Sequence, residues 1–140
     1  MAIIKVAFDI GGVLSRHTEV LRKMAEVFGS ATDIFETHVL TDISKKMAMQ
    51  MLMDNGLAHL FGRDGERVHH ADYAKYGDNC KSVVLKEIGI DVLFDDHMSY
   101  LMDAPALGLL VMPRASLPFY SDQWKIYQYA HNVPPTLTSR

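Results

Sequence analysis

The sequence predicts an α/β fold: a doubly wound, mostly parallel sheet of five strands with helices on both faces. Three observations carry this. Apolar runs rich in branched residues alternate with amphipathic segments, as strand–helix–strand units require. The runs are continuous rather than alternating, the pattern of strands covered on both faces. Two of them, "IIKVAF" and "DVLFDD", run into carboxylates, and ligands bind such sheets at their strand ends.

The elements follow in order. Residues 3–8 form the first expected strand, leading into Asp9 and the pair Gly11–Gly12. Residues 18–28 place Val20, Leu21, Met24, Val27 and Phe28 on one helical stripe, with Thr18 as N-cap and Gly29 as stop. "FETHVLT" (35–41) is the second strand. In 44–56 the methionines at 47, 49, 51 and 53 alternate as in a strand. Ser44 as cap, strong helix formers throughout and Asn55–Gly56 as stop favour a helix whose methionines fill the core. "ERVHHA" (66–71) is a short third strand, and 78–89 a helix with Asp78 near its start and Gly89 past its end. Residues 90–96 form the fourth strand, a helix carrying Met98 and Leu101 follows, and "LGLLVM" (107–112) is the fifth strand. The segment 113–140 is expected as an irregular tail of a single domain spanning 1–140, docked by Trp124, Tyr127 and Tyr129. With right-handed crossovers and strand order 3-2-1-4-5, strands one and four are neighbours where the winding reverses. Asp9 and Asp95–Asp96 then converge.

At 140 residues the chain can bury a core without metal or disulfide staples. Its net charge of −3 gives no support for nucleic-acid binding, which leans on clustered Lys and Arg. Cys80 is the only cysteine, which excludes an internal disulfide and a multi-thiolate zinc site and fits a reducing cytosol. The apolar run before Asp9 is too short for a signal peptide or a membrane span. A cytoplasmic protein with no membrane partner is expected.

Four separated pieces resemble, in the right order, the haloacid dehalogenase (HAD)-like hydrolase superfamily, whose members are mostly phosphatases. "FDIGGVL" resembles the first motif, Thr41 after "THVL" the second, Lys81 opening the helix before strand four the third, and "LFDD" the fourth. The resemblance covers nearly all of residues 3–112. It implies a capless HAD-like Rossmannoid sheet, Mg²⁺ as cofactor, and Asp9 as the nucleophile of an aspartyl-phosphate intermediate. It further implies Thr41 as the holder of a phosphoryl oxygen and Lys81, with Lys86 as fallback, as the offset to negative charge. Asp9, Asp95, Asp96 and the backbone carbonyl of Gly11 are the implied metal ligands. Elementary chemistry agrees, since phosphoryl transfer asks for positioning and charge neutralisation. Mg²⁺ takes oxygen ligands from one or two carboxylates, water and phosphate.

Gly11 departs from the family pattern, in which a second Asp protonates the leaving group and then activates water. Losing such a group costs ~10²–10⁴ in rate. Ser15, Arg16 and His17 are candidate substitutes, His17 the best by pKa. The departure allows a slow phosphatase, a leaving group that needs little protonation, or a catalytically degenerate module binding Mg²⁺ and a phosphorylated ligand or partner. A dehalogenase would not need the Asp95–Asp96 pair, and response-regulator receivers order their acids and lysine differently. Neither interval between Asp9, Thr41 and Lys81 has room for a cap domain. An uncapped site suits a large phosphorylated substrate or completion by another subunit, as in a homo-oligomer; residues 47–60 are the candidate small lid. Plainer readings stand beside these: Asp9 as a turn former, Asp95–Asp96 as an N-cap, Thr41 or Ser44 as cap of the next helix, and Cys80 as packing. His69, His70 and His97 suggest zinc, but adjacent histidines on a strand point to opposite faces.

Overall fold

The computed structural model describes residues 2–15, 19–113 and 124–128. Its strands are β1 (Ile4–Phe8), β2 (Phe35–Thr41), β3 (Val68–His70), β4 (Val92–Asp95), β5 (Leu107–Pro113) and β6 (Trp124–Gln128). The helices are α1 (Glu19–Ser30), α2 (Lys45–Asp54), α3 (Tyr73–Tyr76), α4 (Cys80–Ile88) and α5 (Met98–Leu101). The strands lie in the order β3-β2-β1-β4-β5-β6, the first five parallel as expected and β6 antiparallel to β5.

The continuous apolar runs feed two cores at once, because successive residues of a strand face opposite sides. Val6, Phe8, Val39 and Phe94 point into one core, closed by Leu21 and Ala25 of α1 and by Ala48 and Leu52 of α2. Ala7, Leu40, Leu93 and Leu110 point into the other, closed by Cys80 and Leu85 of α4 and by Tyr100 and Leu101 of α5. The chain winds outward from β1 through α1 and α2 to β3, then returns under the other face to place β4 beside β1. The reversal of winding therefore falls between β1 and β4, at Asp9 and Asp95.

Several local expectations are corrected. The stripe of α1 holds in part: Leu21 is buried and Met24 and Phe28 pack on the first core, whereas Val20 and Val27 are 62% and 64% exposed and Ala25 is buried in their place. Gly29 lies inside the helix rather than stopping it. A Cβ there would meet Leu60, so the helix leans on its Leu21–Ala25–Gly29 line. In α2 only part of the methionine row fills the core, since Met47 and Met53 are exposed. The candidate lid is instead packed into the first core through Ala48, Leu52, Leu57 and Leu60. The tail is not irregular throughout, because Trp124–Gln128 extends the sheet on β5. Thr18 and Tyr129 lie outside the described residues. Among the described residues no helix is long and apolar enough to cross a membrane.

Candidate functional site

Asp9 follows β1 directly, and its N–H donates to the Phe94 carbonyl at 2.9 Å, carrying the β1–β4 ladder one residue past the strand. The chain then turns through Gly11 (φ −60°, ψ 119°) and Gly12 (φ 73°, ψ −5°), the angles of a type II turn. Gly12 is required twice, by its positive φ and because a Cβ there would strike the Asp96 carboxylate. Gly11 is not required by the backbone. Its φ suits any residue and a Cβ would meet nothing within 4 Å, so the turn has room for a side chain at this position.

Asp95 ends β4 and Asp96 follows it. Lys81, one residue into α4, has no exposed surface. Its Nζ lies 3.1 Å from Asp9 Oδ1 and 2.5 Å from Asp95 Oδ2. A lysine buried so completely needs ionic partners, and these two acids from the central strands supply them. The other Asp95 oxygen accepts the His97 N–H at 2.9 Å. Asp9, Asp95 and Asp96 each offer an oxygen within 4.8 Å of the others.

Burial pushes the Asp95 carboxyl up to about 7, with the Asp9 charge adding and Lys81 opposing. Burial and then Asp9 push Asp96 up to about 6. For Lys81 burial alone would lower the pKa, but the Asp95 and Asp9 carboxylates outweigh it and the ammonium is held above its usual range. Three carboxylates against one ammonium leave an excess of negative charge, on hard oxygen donors, which is what a divalent cation such as Mg²⁺ neutralises.

The remaining candidates are placed as follows. Thr41 ends β2, buried, and flanks the acids from the neighbouring strand, its hydroxyl accepting from the Ile43 N–H. Gly11 is exposed in the turn, its carbonyl a further candidate ligand. Lys86 is exposed in the last turn of α4, away from the role proposed for it as fallback. Ser44 rather than Thr41 caps α2, accepting from the Met47 N–H. The three zinc candidates do not gather: His69 pairs with His38, His70 bonds the Ile43 carbonyl, and His97 sits beside Tyr100. Burial pushes the Cys80 thiol up, which suits packing rather than nucleophilic use. Arg16 and His17 lie outside the described residues.

Two arrangements escaped the sequence reading. Tyr100, 5% exposed, donates its hydroxyl to Asp42 Oδ2 at 2.8 Å, with the Lys81 ammonium 4.8 Å from its ring centre. Glu36, His38 and His69 form a chain of side-chain hydrogen bonds across β2 and β3, at 2.6 and 2.9 Å. Hydropathy carries no signal for either, because both depend on contacts between distant segments. No protein-family model matches the chain, and neither the curated proteins nor the solved structures contain a match to it.

Proposed function

We propose that the protein is a Mg²⁺-dependent phosphohydrolase of HAD type, acting in the cytoplasm through an aspartyl phosphate on Asp9. The observation that carries the reading is the buried Lys81 joined to both Asp9 and Asp95 beside Asp96, at the carboxyl edge where the winding reverses. Asp9, Asp95 and Asp96, with the Gly11 carbonyl, would hold Mg²⁺, which supplies charge neutralisation for a phosphoryl group. The Asp9 carboxylate forms the new bond to phosphorus as the ester bond to the leaving oxygen breaks. Water then attacks the acyl phosphate, releasing inorganic phosphate and restoring Asp9. Lys81 fixes Asp9 in orientation and offsets the charge of the acids around it, while Thr41 holds a phosphoryl oxygen. With glycine at position 11, the leaving oxygen takes its proton from water, so turnover is slow. The uncapped edge suits a large phosphorylated substrate or a site completed in a homo-oligomer.

Gly11 also favours a second reading, a degenerate module that binds Mg²⁺ and a phosphorylated ligand without turnover. Hydrolysis of para-nitrophenyl phosphate separates the two. The phosphatase reading expects turnover that requires Mg²⁺ and disappears in Asp9→Asn. Mg²⁺ binding without turnover in wild type would shift the assignment to the module.

A further inference from the structure

Three segments distant in sequence meet at one side chain. Tyr100, on α5, donates to Asp42, the residue after Thr41, across 58 positions of chain. Its ring lies beneath the Lys81 ammonium at 4.8 Å, within cation–π range. The His97 ring, from the loop that follows Asp95–Asp96, packs on it at 4.7 Å. Burial and the Asp42 carboxylate together push the phenol well above its ordinary range, so it remains a hydrogen-bond donor at any working pH.

We propose that Tyr100 is a positioning residue for the site: its ring seats the Lys81 ammonium and its hydroxyl holds the Thr41–Asp42 loop. The groups expected to neutralise and to grip a phosphoryl group are thereby tied to one rigid support. Asp42 is itself exposed, and the bond to a buried phenol gives its loop a fixed anchor. The inference rests on the phosphatase reading, in that it assigns Lys81 and Thr41 the roles described above.

Tyr100→Phe keeps the ring and removes the hydroxyl, which separates the two contacts. With para-nitrophenyl phosphate its KM is expected to rise about five- to ten-fold, with kcat changed by less than about two-fold. Asp42→Ala should reproduce this, and the double variant should be no worse than Tyr100→Phe, which removes the same bond together with the hydroxyl's contact to Cys80. Tyr100→Leu, which also removes the ring, should in addition lower kcat by about ten-fold as Lys81 loses its seat. The dissociation constant of inorganic phosphate in the presence of Mg²⁺, measured by calorimetry, should move with KM and needs no turnover. A Tyr100→Phe protein that melts at lower temperature, yet keeps wild-type KM and phosphate affinity, would overturn the positioning role and leave the phosphatase reading standing. Wild-type protein that binds phosphate without hydrolysing it would overturn the phosphatase reading, and phosphate affinity would then decide on Tyr100. Wild type that does neither overturns both.

Discussion

Replacing Asp95 by Asn perturbs the charge balance on which the site rests. The Asp95 carboxyl is buried and sits at about 7, against 3.8 for an ordinary aspartate. The folded protein therefore keeps a proton on Asp95 that the unfolded chain gives up near pH 4. Stability falls where the folded state binds more protons, so this group's contribution is full below about pH 4 and lost as the pH rises to about 7. Three pKa units at about 1.36 kcal/mol each come to about 4 kcal/mol. Relaxation and water entry around a buried ion reduce that figure, leaving roughly 2–4 kcal/mol. Asn is nearly isosteric and carries no proton to lose, and Lys81 keeps Asp9 at 3.1 Å as an ionic partner. Urea unfolding in EDTA should find the two proteins alike near pH 4 and Asp95→Asn the more stable above pH 7. Mg²⁺ should narrow or close that gap. A cation at 100 times its dissociation constant, bound only to the folded state, adds about 2.7 kcal/mol to wild type and little to the variant. Parallel pH profiles, or equal stabilisation of both proteins by Mg²⁺, would rule out this role for the Asp95 charge.

The Glu36–His38–His69 chain should act in the opposite direction. Burial, with His38 alongside, lowers His69 to about 4, and burial lowers His38 as well. The unfolded chain thus takes up protons first as the pH falls from about 6.5, and stability is lost between there and about 4. The shift of His69 amounts to about 3 kcal/mol at most and roughly 1–2 after allowance for its partial exposure. Because the Asp95 contribution is common to both proteins, urea unfolding at about pH 7 and about pH 4.5 should show His69→Gln gaining on wild type by about that amount at the lower pH. At the turn, Gly12→Ala should cost about 1–2 kcal/mol of backbone strain and weaken Mg²⁺ binding by displacing Asp96. Gly11→Ala should leave stability within about 0.5 kcal/mol, as thermal melts and Mg²⁺ titration of the two variants can check. Gly11→Asp, which enters open space, should raise para-nitrophenyl phosphate turnover by about ten-fold or more if it restores the acid–base group.

The sheet was legible because it is buried on both sides. Val6, Ala7 and Phe8 are all covered, so β1 reads as an unbroken apolar run, and β4 does the same up to Asp95. What failed was governed by close approach and by partners far along the chain. Val20 and Val27 look like core residues on a helical wheel, yet α1 leans on the small residues Ala25 and Gly29, and small size leaves no hydropathic mark. Trp124–Gln128 stands among prolines that suggest a loop, but its pairing depends on the free edge of β5. Lys81 is invisible to any scale that puts lysines on the surface, and only its place in an ordered set of motifs singled it out. Its burial follows from two carboxylates on neighbouring strands. The bond from Tyr100 to Asp42 spans 58 positions and that between His38 and His69 spans 31, so neither has a local signature.

A phosphoryl group carried by Asp9 can be trapped on the protein. Protein incubated with Mg²⁺ and acetyl phosphate, then quenched in acid, should show by intact mass a single added phosphoryl group. The adduct should be released by hydroxylamine, as an acyl phosphate is, and should be absent from Asp9→Asn. With glycine at position 11 slowing its hydrolysis, the adduct should persist longer than in Gly11→Asp. An adduct that survives in Asp9→Asn, or turnover with no adduct at any quench time, would overturn Asp9 as the nucleophile.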